Sequence, residues 1–298
     1  MKKKLIIAGI FVTMSFSSIA QNDIQISHYM FNDISFNPAL AGYQPIIGGT
    51  LLARQQWIGV DQAPMTQLLT AQMHSVKLNG GVGLSVYNDK LGFEHNLAAK
   101  LMYAYTLKLD KKNNLHLGLG AGFVNKTVRG SELTYQEAGD QYALYSDKSS
   151  FKPDFDFGIG FSNKDLVAGI SVTHLDQSFA TATPFKPPRH YYLYGRYNAK
   201  VNDKFFVVPS LMVKSSIFIT QFDLSTLAVL DKKAWIGASY RYRDAITGLV
   251  GVYITENIRL AYSYDYNAGG VKTHSSGSHE ICLMATFKAP EVSKAKFF

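Results

Sequence analysis

The chain has 298 residues, of which 47% are hydrophobic and 17% charged, with 30 Lys+Arg against 22 Asp+Glu and a single cysteine. That balance is too apolar for a disordered chain, and one cysteine excludes an intrachain disulfide framework and a multi-cysteine metal cluster. A mean hydropathy of −0.03 excludes a bundle of transmembrane helices. The 18 Tyr, 19 Phe and 24 Gly favour many short strands, and this composition also suits a barrel with aromatic girdles.

Residues 1–20 are predicted to be a secretory signal peptide rather than a buried N-terminal helix. Three lysines precede an apolar run at 5–14, and Ser18 and Ala20 occupy the two positions that signal peptidase reads. Cleavage would make Gln21 the first residue and leave a net charge of +5. This modest excess does not indicate nucleic-acid binding, which needs a basic face or stripe. No later apolar run is long enough for a membrane helix.

Apolar residues alternate with small or polar residues, with a period of two, along the rest of the chain. Examples are 97–109, 115–123, 155–161, 236–242, 258–266 and 281–287. A soluble sandwich alternates too, but its strands usually have about five or six residues, whereas a tilted membrane strand needs roughly 9–11. The minority face here carries Gly, Ser, Ala and scattered charges, as the inside of a closed barrel does. We therefore predict an all-β fold, a transmembrane outer-membrane β-barrel of about 14 antiparallel strands.

The expected strands also reproduce the asymmetry of outer-membrane barrels. Their ranges are 46–59, 65–77, 81–88, 94–109, 115–128, 153–162, 166–173, 190–200, 204–214, 217–230, 234–243, 245–255, 258–266 and 280–288. With the N-terminus in the periplasm, the three longest connections, 129–152, 174–189 and 267–279, all fall on the extracellular side. Pro209 interrupts one strand and predicts a bulge or a poorly paired strand, because proline cannot donate to the ladder.

Four short motifs stand near the start of the mature chain. They are Q-I-S-H-Y-M-F-N at 25–32, N-P-A-L-A-G at 37–42, R-Q-Q-W-I-G at 54–59 and A-P-M-T-Q at 63–67. In this order they resemble the PorP/SprF family of type IX secretion system membrane proteins from Bacteroidetes. The resemblance is dense over about the first hundred residues and consists mainly of strand spacing beyond them. The motif residues of interest are Tyr29, Asn32, Asn37, Pro38, Ala39, Gly42, Arg54, Gln56 and Trp57.

The resemblance implies a function that composition and periodicity do not give. It implies an integral outer-membrane barrel that works with the type IX secretion and gliding apparatus. Members of one branch look like dedicated partners of particular secreted adhesins, whose C-terminal sorting domain they engage to secrete or anchor the adhesin. The expected partners are therefore such an adhesin, other secretion and gliding components, and outer-membrane lipid.

The segment between signal peptide and barrel is expected to contact the barrel. The chain divides into a signal peptide at 1–20, a plug or strap segment at 21–45, a barrel at 46–288 and a tail at 289–298. Asn37-Pro38 predicts an extended turn, because the residue before proline avoids the helical region. Residues 21–44 either fold inward as a plug held by Tyr29, Phe31 and Phe36, or lie outside as a periplasmic strap. A lumen-facing Arg54 would bind a plug. Trp57 is either a girdle residue or an ordinary wall residue.

The sequence contains no recognisable catalytic or metal-binding motif. The eight histidines lack the spacing of a zinc motif, so we expect no enzyme activity, metal or cofactor. A stiff, basic, aromatic loop tip is the candidate partner-binding site. It consists of Phe185, Lys186, Pro187, Pro188 and Arg189. The alternative function is a FadL-like channel or transporter for small or hydrophobic solutes. That function needs an apolar internal pocket, whereas the inward faces here favour a filled polar interior.

Overall fold

The computed structural model describes residues 23–135, 144–176, 188–216, 219–231, 233–270 and 273–289. Within them, short 3-10 helices lie at Tyr29–Phe31, Asp33–Ser35, Pro38–Leu40 and Gly130–Glu132. The strands are β1 (Ile46–Gln55), β2 (Met65–Ser75), β3 (Gly80–Leu91), β4 (Glu94–Lys108), β5 (Asn114–Val128), β6 (Lys148–Ser162), β7 (Leu166–Thr173), β8 (His190–Tyr197), β9 (Ala199–Lys200), β10 (Phe205–Ser216), β11 (Thr220–Leu230), β12 (Ala234–Arg241), β13 (Ala245–Tyr253), β14 (Ile258–Asn267) and β15 (Ser278–Lys288). No described helix has the length and apolar character needed to span a bilayer.

The strands form one antiparallel sheet that closes on itself. Strands that are neighbours in sequence pair with each other, except that β8 and β9 both pair with β10. The last strand pairs with the first along the whole length of β1, from Ile46 opposite Lys288 to Gln55 opposite His279. Closure removes the unpaired edges that an open sheet would expose. If β8 and the short β9 are counted as one interrupted strand, the described ring has 14 strands, which confirms the predicted barrel.

Pro209 explains why β8 and β9 are separate. On one side Pro209 pairs with Thr226 of β11. On the other side the ladder between β10 and β8 stops at Ser210 opposite Arg196 and resumes at Val207 opposite Ala199 with unchanged register. Because proline has no N–H to donate, the ladder is lost opposite Pro209. The sequence-based expectation of a poorly paired strand is correct, and no residue is inserted as a bulge.

Side chains alternate between an apolar outer face and a mixed inner face. On β4, Leu97, Leu101 and Tyr105 are exposed, while Ala98 and Met102 are buried. The exposed apolar residues continue round the ring, for example at Leu119, Ile236 and Ile281. A predominantly apolar exterior on a closed barrel is the surface that lipid covers.

The two largest differences from the predicted strand boundaries are at β6 and β1. Strand β6 begins at Lys148 rather than at 153, so the β5–β6 hairpin is longer and its connection shorter than expected. Strand β1 ends at Gln55 rather than at 59. Trp57 therefore does not share a strand face with Gln55; it lies in the following turn with a φ of 46°.

The connections divide between two ends of the barrel. We call the end that carries the connections after β1, β5, β7 and β14 the loop end, and the opposite end, which carries the connections after β2 and β4, the turn end. Residues 23–42, here called the N-terminal segment, run between these ends. Asp23 lies beside His190, the first residue of β8, at the loop end, and Gly42 accepts from His74 near the end of β2, at the turn end. The segment contacts β2, β5, β6, β8, β11, β14 and β15, so it lies inside the ring.

Candidate functional site

The inner wall holds a buried cluster of charges beside the N-terminal segment. Arg54 of β1 places Nη2 2.6 Å from Oδ2 of Asp265 and Nη1 3.3 Å from Oε2 of Glu280. Arg241 of β12 places Nη1 3.0 Å from the same Asp265 oxygen and Nε 3.2 Å from Oδ2 of Asp223. Two arginines thus face three carboxylates drawn from three other strands. Each planar guanidinium can bridge two carboxylates, which a lysine could not do with the same geometry.

Ser27 connects the N-terminal segment to this cluster. Its Oγ donates to Oδ1 of Asp265 at 3.0 Å and accepts from Nη1 of Arg54 at 2.9 Å. Its backbone N–H donates to Oε2 of Glu280 at 2.8 Å, and the backbone N–H of His28 donates to Oε1 of the same carboxylate at 2.9 Å. Backbone donors and a hydroxyl from the segment therefore satisfy carboxylate oxygens that would otherwise be buried without partners.

Asn37 and Pro38 hold the segment against the opposite wall. Asn37 is extended, with φ −138° and ψ 105°, and its Oδ1 accepts from the backbone N–H of Ala39 at 2.9 Å, which caps the short helix that begins at Pro38. Its Nδ2 donates to the carbonyl oxygens of Ile159 on β6 and Ile170 on β7, each at 3.3 Å. One asparagine side chain thus supports a local turn and joins it to two strands.

Glycines in the wall let the backbone of the segment approach closely. A Cβ added to Gly118 of β5 would lie 2.1 Å from the nitrogen of Ala39, and one added to Gly81 of β3 would lie 2.2 Å from the oxygen of Ala41. Gly42 has a φ of +59°, and a Cβ there would lie 2.4 Å from the oxygen of Met73. Any side chain at these three glycines would collide with backbone.

The remaining motif residues of the segment also contact the wall. The hydroxyl of Tyr29 donates to Oγ of Ser225 at 3.1 Å, and its ring packs edge-on against Tyr194. Oδ1 of Asn32 accepts from the hydroxyl of Thr70 at 2.6 Å. The two other aromatic residues expected to hold the segment also have aromatic neighbours, with Phe31 beside Trp235 and Phe36 beside Tyr192 and Tyr194.

A second buried charge cluster lies on β4 and β6. Nζ of Lys100 is 2.7 Å from Oδ2 of Asp154 and 2.8 Å from Oδ2 of Asp156. Nδ1 of His174, just after β7, lies 2.9 Å from the same Asp154 oxygen. Strand β5 runs between β4 and β6 and contributes Gly120 and Gly122 at these positions.

The other residues singled out in the sequence, in the R-Q-Q-W-I-G motif and the predicted partner-binding tip, lie outside the N-terminal segment. Gln56 donates its backbone N–H to the carbonyl of Pro64, and Trp57 donates its own to Oγ of Ser278, so both belong to the loop that follows β1. Phe185, Lys186 and Pro187 of the predicted partner-binding tip lie outside the described residues. Of the other two, Pro188 accepts from the His190 ring, and Arg189 donates to the carbonyl of Leu175.

Sequence reasoning singled out Arg54 but missed the other charged residues of its cluster. Asp223, Arg241, Asp265 and Glu280 lie on four separate strands, and no local motif joins them. The available signal was a charged residue on the glycine- and serine-rich face of each alternating strand. Charges on that face need partners when a segment fills the space beside them, because an unpaired buried charge is costly.

Solved structures with a similar fold are outer-membrane barrels. The chain is similar to the CymD monoaromatic hydrocarbon channel, at 9% identity and a TM-score of 0.51 over 86% of this chain and 92% of that one. It is also similar to Omp33 of Acinetobacter baumannii, at 9% identity and a TM-score of 0.48 over 82% and 99% of the two chains. At such identities the likeness concerns the fold alone. No curated protein matches the sequence.

The family assignment rests on the sequence as a whole. A family model described as type IX secretion system membrane protein PorP/SprF matches residues 18–284, which is most of the chain and all but the end of the barrel. The closed barrel and its apolar exterior fit an integral protein of the outer membrane. The chain therefore belongs to the PorP/SprF family of type IX secretion system membrane proteins.

Proposed function

We propose that this barrel binds a secreted surface adhesin through the adhesin's C-terminal sorting domain, and so helps to secrete or anchor it. The observation that supports this most is the pairing of the inner wall with the N-terminal segment. The carboxylates of Asp265 and Glu280 are already engaged by Arg54 and by backbone donors of the segment. Because the polar groups of the inner wall already bind the N-terminal segment, few of them can bind a solute. We therefore infer that the ends of the barrel recognise the partner protein.

The loop end has the features of a protein-binding surface. The β5–β6 hairpin carries exposed aromatic side chains, including Phe151, which stacks on Phe123, and the pair Tyr135 and Tyr145 near its tip. Aromatic residues are enriched where proteins bind each other. Arg189, which directly precedes β8 at the loop end, adds positive charge there. We assign adhesin binding to this end.

A FadL-like transport function fits the interior less well. A hydrophobic solute would need a continuous apolar path, whereas the described interior combines buried charges with the N-terminal segment. An uptake assay with an alkane or aromatic hydrocarbon separates the two functions. If the barrel is a transporter, a variant that lacks the N-terminal segment should take up the hydrocarbon at a different rate. Adhesin binding at the loop end should stay intact in the same variant.

Capture of an isolated sorting domain tests the proposal directly. Replacing Phe185, Lys186 and Arg189 by serine should leave the barrel folded and weaken capture by about tenfold or more, as expected for loss of a few central interface residues. The matched control replaces Lys111 and Lys112 by serine, in the β4–β5 connection at the turn end. Equal capture by the wild-type protein and the loop-end variant, or equal loss in both variants, would contradict the assignment.

A further inference from the structure

Three side chains at the loop end converge from separate parts of the chain. They are Asp23 at the start of the N-terminal segment, His174 directly after β7, and His190, the first residue of β8. One ligand atom of each lies within 4.8 Å of the other two. The tetrahedral zinc ion has ligands at about 2.0–2.2 Å, so ligand atoms sit roughly 3–3.5 Å from one another. Side-chain shifts of about 1 Å would bring this group to that geometry.

Both imidazoles are held in the way that metal-binding histidines are held. Nδ1 of His190 donates to the carbonyl of Pro188 at 2.8 Å, which leaves Nε2 as an acceptor. That nitrogen accepts from the backbone N–H of Asp23 at 3.3 Å, a hydrogen bond that a metal ion would replace. Nδ1 of His174 lies 2.9 Å from Oδ2 of Asp154, and its Nε2 faces Oδ2 of Asp23 at 3.7 Å. A second partner on the far ring nitrogen fixes the orientation of a ligating histidine and raises its basicity.

The carboxylate and the surrounding charge also suit a cation. Oδ2 of Asp23 accepts from the hydroxyl of Tyr192 at 2.7 Å, which orients the carboxylate. Lys100 faces the two carboxylates of Asp154 and Asp156, and Lys126, which lines the adjacent cavity, pairs with Glu94, so both cations have carboxylate partners of their own. Lys214 donates to the backbone oxygen of Asp23 and to Oε1 of Gln25, each at 3.1 Å.

A small cavity next to the three side chains provides room for a fourth ligand. Its volume is about 50 Å³, and its polar lining includes Asp89, Glu94 and Asn96 in addition to the three candidate ligands. One water needs about 10–15 Å³ of such volume. Three protein ligands and one water form the open coordination set in which zinc is commonly bound.

We propose that Asp23, His174 and His190 form a binding site for a divalent transition metal, with Zn²⁺ as the best fit to two imidazoles and one carboxylate. The bound ion would join the start of the mature chain to the end of β7 and the start of β8. It would thereby hold the N-terminal segment at the loop end and fix both ends of the connection between those strands. This inference does not depend on adhesin binding.

Zinc binding to the mature, tag-free barrel in detergent micelles tests the proposal. After treatment with a chelator, titration with ZnCl₂ should give one tightly bound ion per barrel and raise the thermal unfolding temperature, as ligands of the native state do. His190→Ala and Asp23→Asn should each weaken binding by about tenfold or more. Asp23→Asn keeps the shape of the side chain, so it reports on binding even if His190→Ala fails to fold.

The matched control is His279→Ala, since His279 contacts Tyr262 and Tyr264 on the outer face, away from the cluster. This variant should bind Zn²⁺ like the wild type. Titration with CoCl₂ should give the visible absorption of a four-coordinate site in wild type and control, and lose it in Asp23→Asn. Absence of Zn²⁺ binding by the wild-type protein at micromolar concentrations, or wild-type affinity in Asp23→Asn and His190→Ala, would overturn the proposal.

Discussion

Lys100 and Asp154 form an ion pair of 2.7 Å although their strands are not neighbours. Gly122 of β5 pairs with Lys100 on one side and with Asp154 on the other. Because Gly122 has no side chain, the lysine can extend across β5 to reach the carboxylate. A glycine on one strand thus determines which charges can meet on the two strands that flank it.

Gly122→Val should therefore destabilise the barrel. A Cβ at this position would lie 1.9 Å from the carbonyl oxygen of Ala99, so backbone must shift, and overpacking of this kind costs about 1–3 kcal/mol. Urea unfolding followed by tryptophan fluorescence measures the change. Gly248→Val is the matched control, because a Cβ at Gly248 meets open space on the outer face. If both variants unfold at the same urea concentration, the steric explanation is wrong.

Removing the Arg54 guanidinium should lower the free energy of unfolding substantially. Arg54→Met leaves Asp265 with one arginine and Glu280 with none, and breaking a buried ion pair from one side costs about 3–5 kcal/mol. The free energy of unfolding in urea is the measurement. Arg129→Met, which breaks the exposed pair with Glu132, should leave unfolding unchanged. A similar stability of both variants would show that the Arg54 cluster does not support the fold.

Asn37→Ala combined with Pro38→Ala should loosen the N-terminal segment while the barrel stays closed. The exchange removes the helix cap and both side-chain hydrogen bonds to the wall, as well as the proline that fixes the turn. We expect limited proteolysis to cleave the double variant within residues 23–42 several times faster than wild type. Asn202→Ala, in a turn between strands, should not change this rate. An unchanged cleavage pattern in the double variant would contradict the role assigned to the motif.

A charged residue on the outer face should destabilise the barrel more strongly the closer it lies to the middle of the membrane. Leu101 lies at the middle of β4 and is 68% exposed on the apolar exterior, so Leu101→Arg should destabilise the membrane-inserted barrel by about 2–4 kcal/mol. Leu109→Arg, just beyond the end of the same strand, should cost much less, about 0–1 kcal/mol. Folding into lipid vesicles at increasing urea concentrations compares the two. Equal costs would indicate that this face is not in contact with the hydrocarbon core.

The strands and their lipid-facing sides can be predicted from the local sequence pattern. The contacts inside the barrel cannot, because they form only when the sheet closes. Alternation at 97–109 predicts both the strand and its lipid-facing side, since strand side chains point to opposite faces in turn. The same rule put Arg54 inside, but its partners Asp265 and Glu280 become neighbours only when β15 pairs with β1. The site formed by Asp23, His174 and His190 was missed for a related reason. Asp23 lies about 150 residues before His174 in sequence, and the three residues share no motif spacing.

Ion conductance in planar lipid bilayers tests most directly whether the N-terminal segment fills the barrel. The mature wild-type protein should pass little steady current, because residues 23–42 contact the wall from the loop end to the turn end. A variant lacking residues 21–44 should open a stable pore of much larger conductance. A large, steady conductance of the wild-type protein, unchanged by this deletion, would contradict a filled interior.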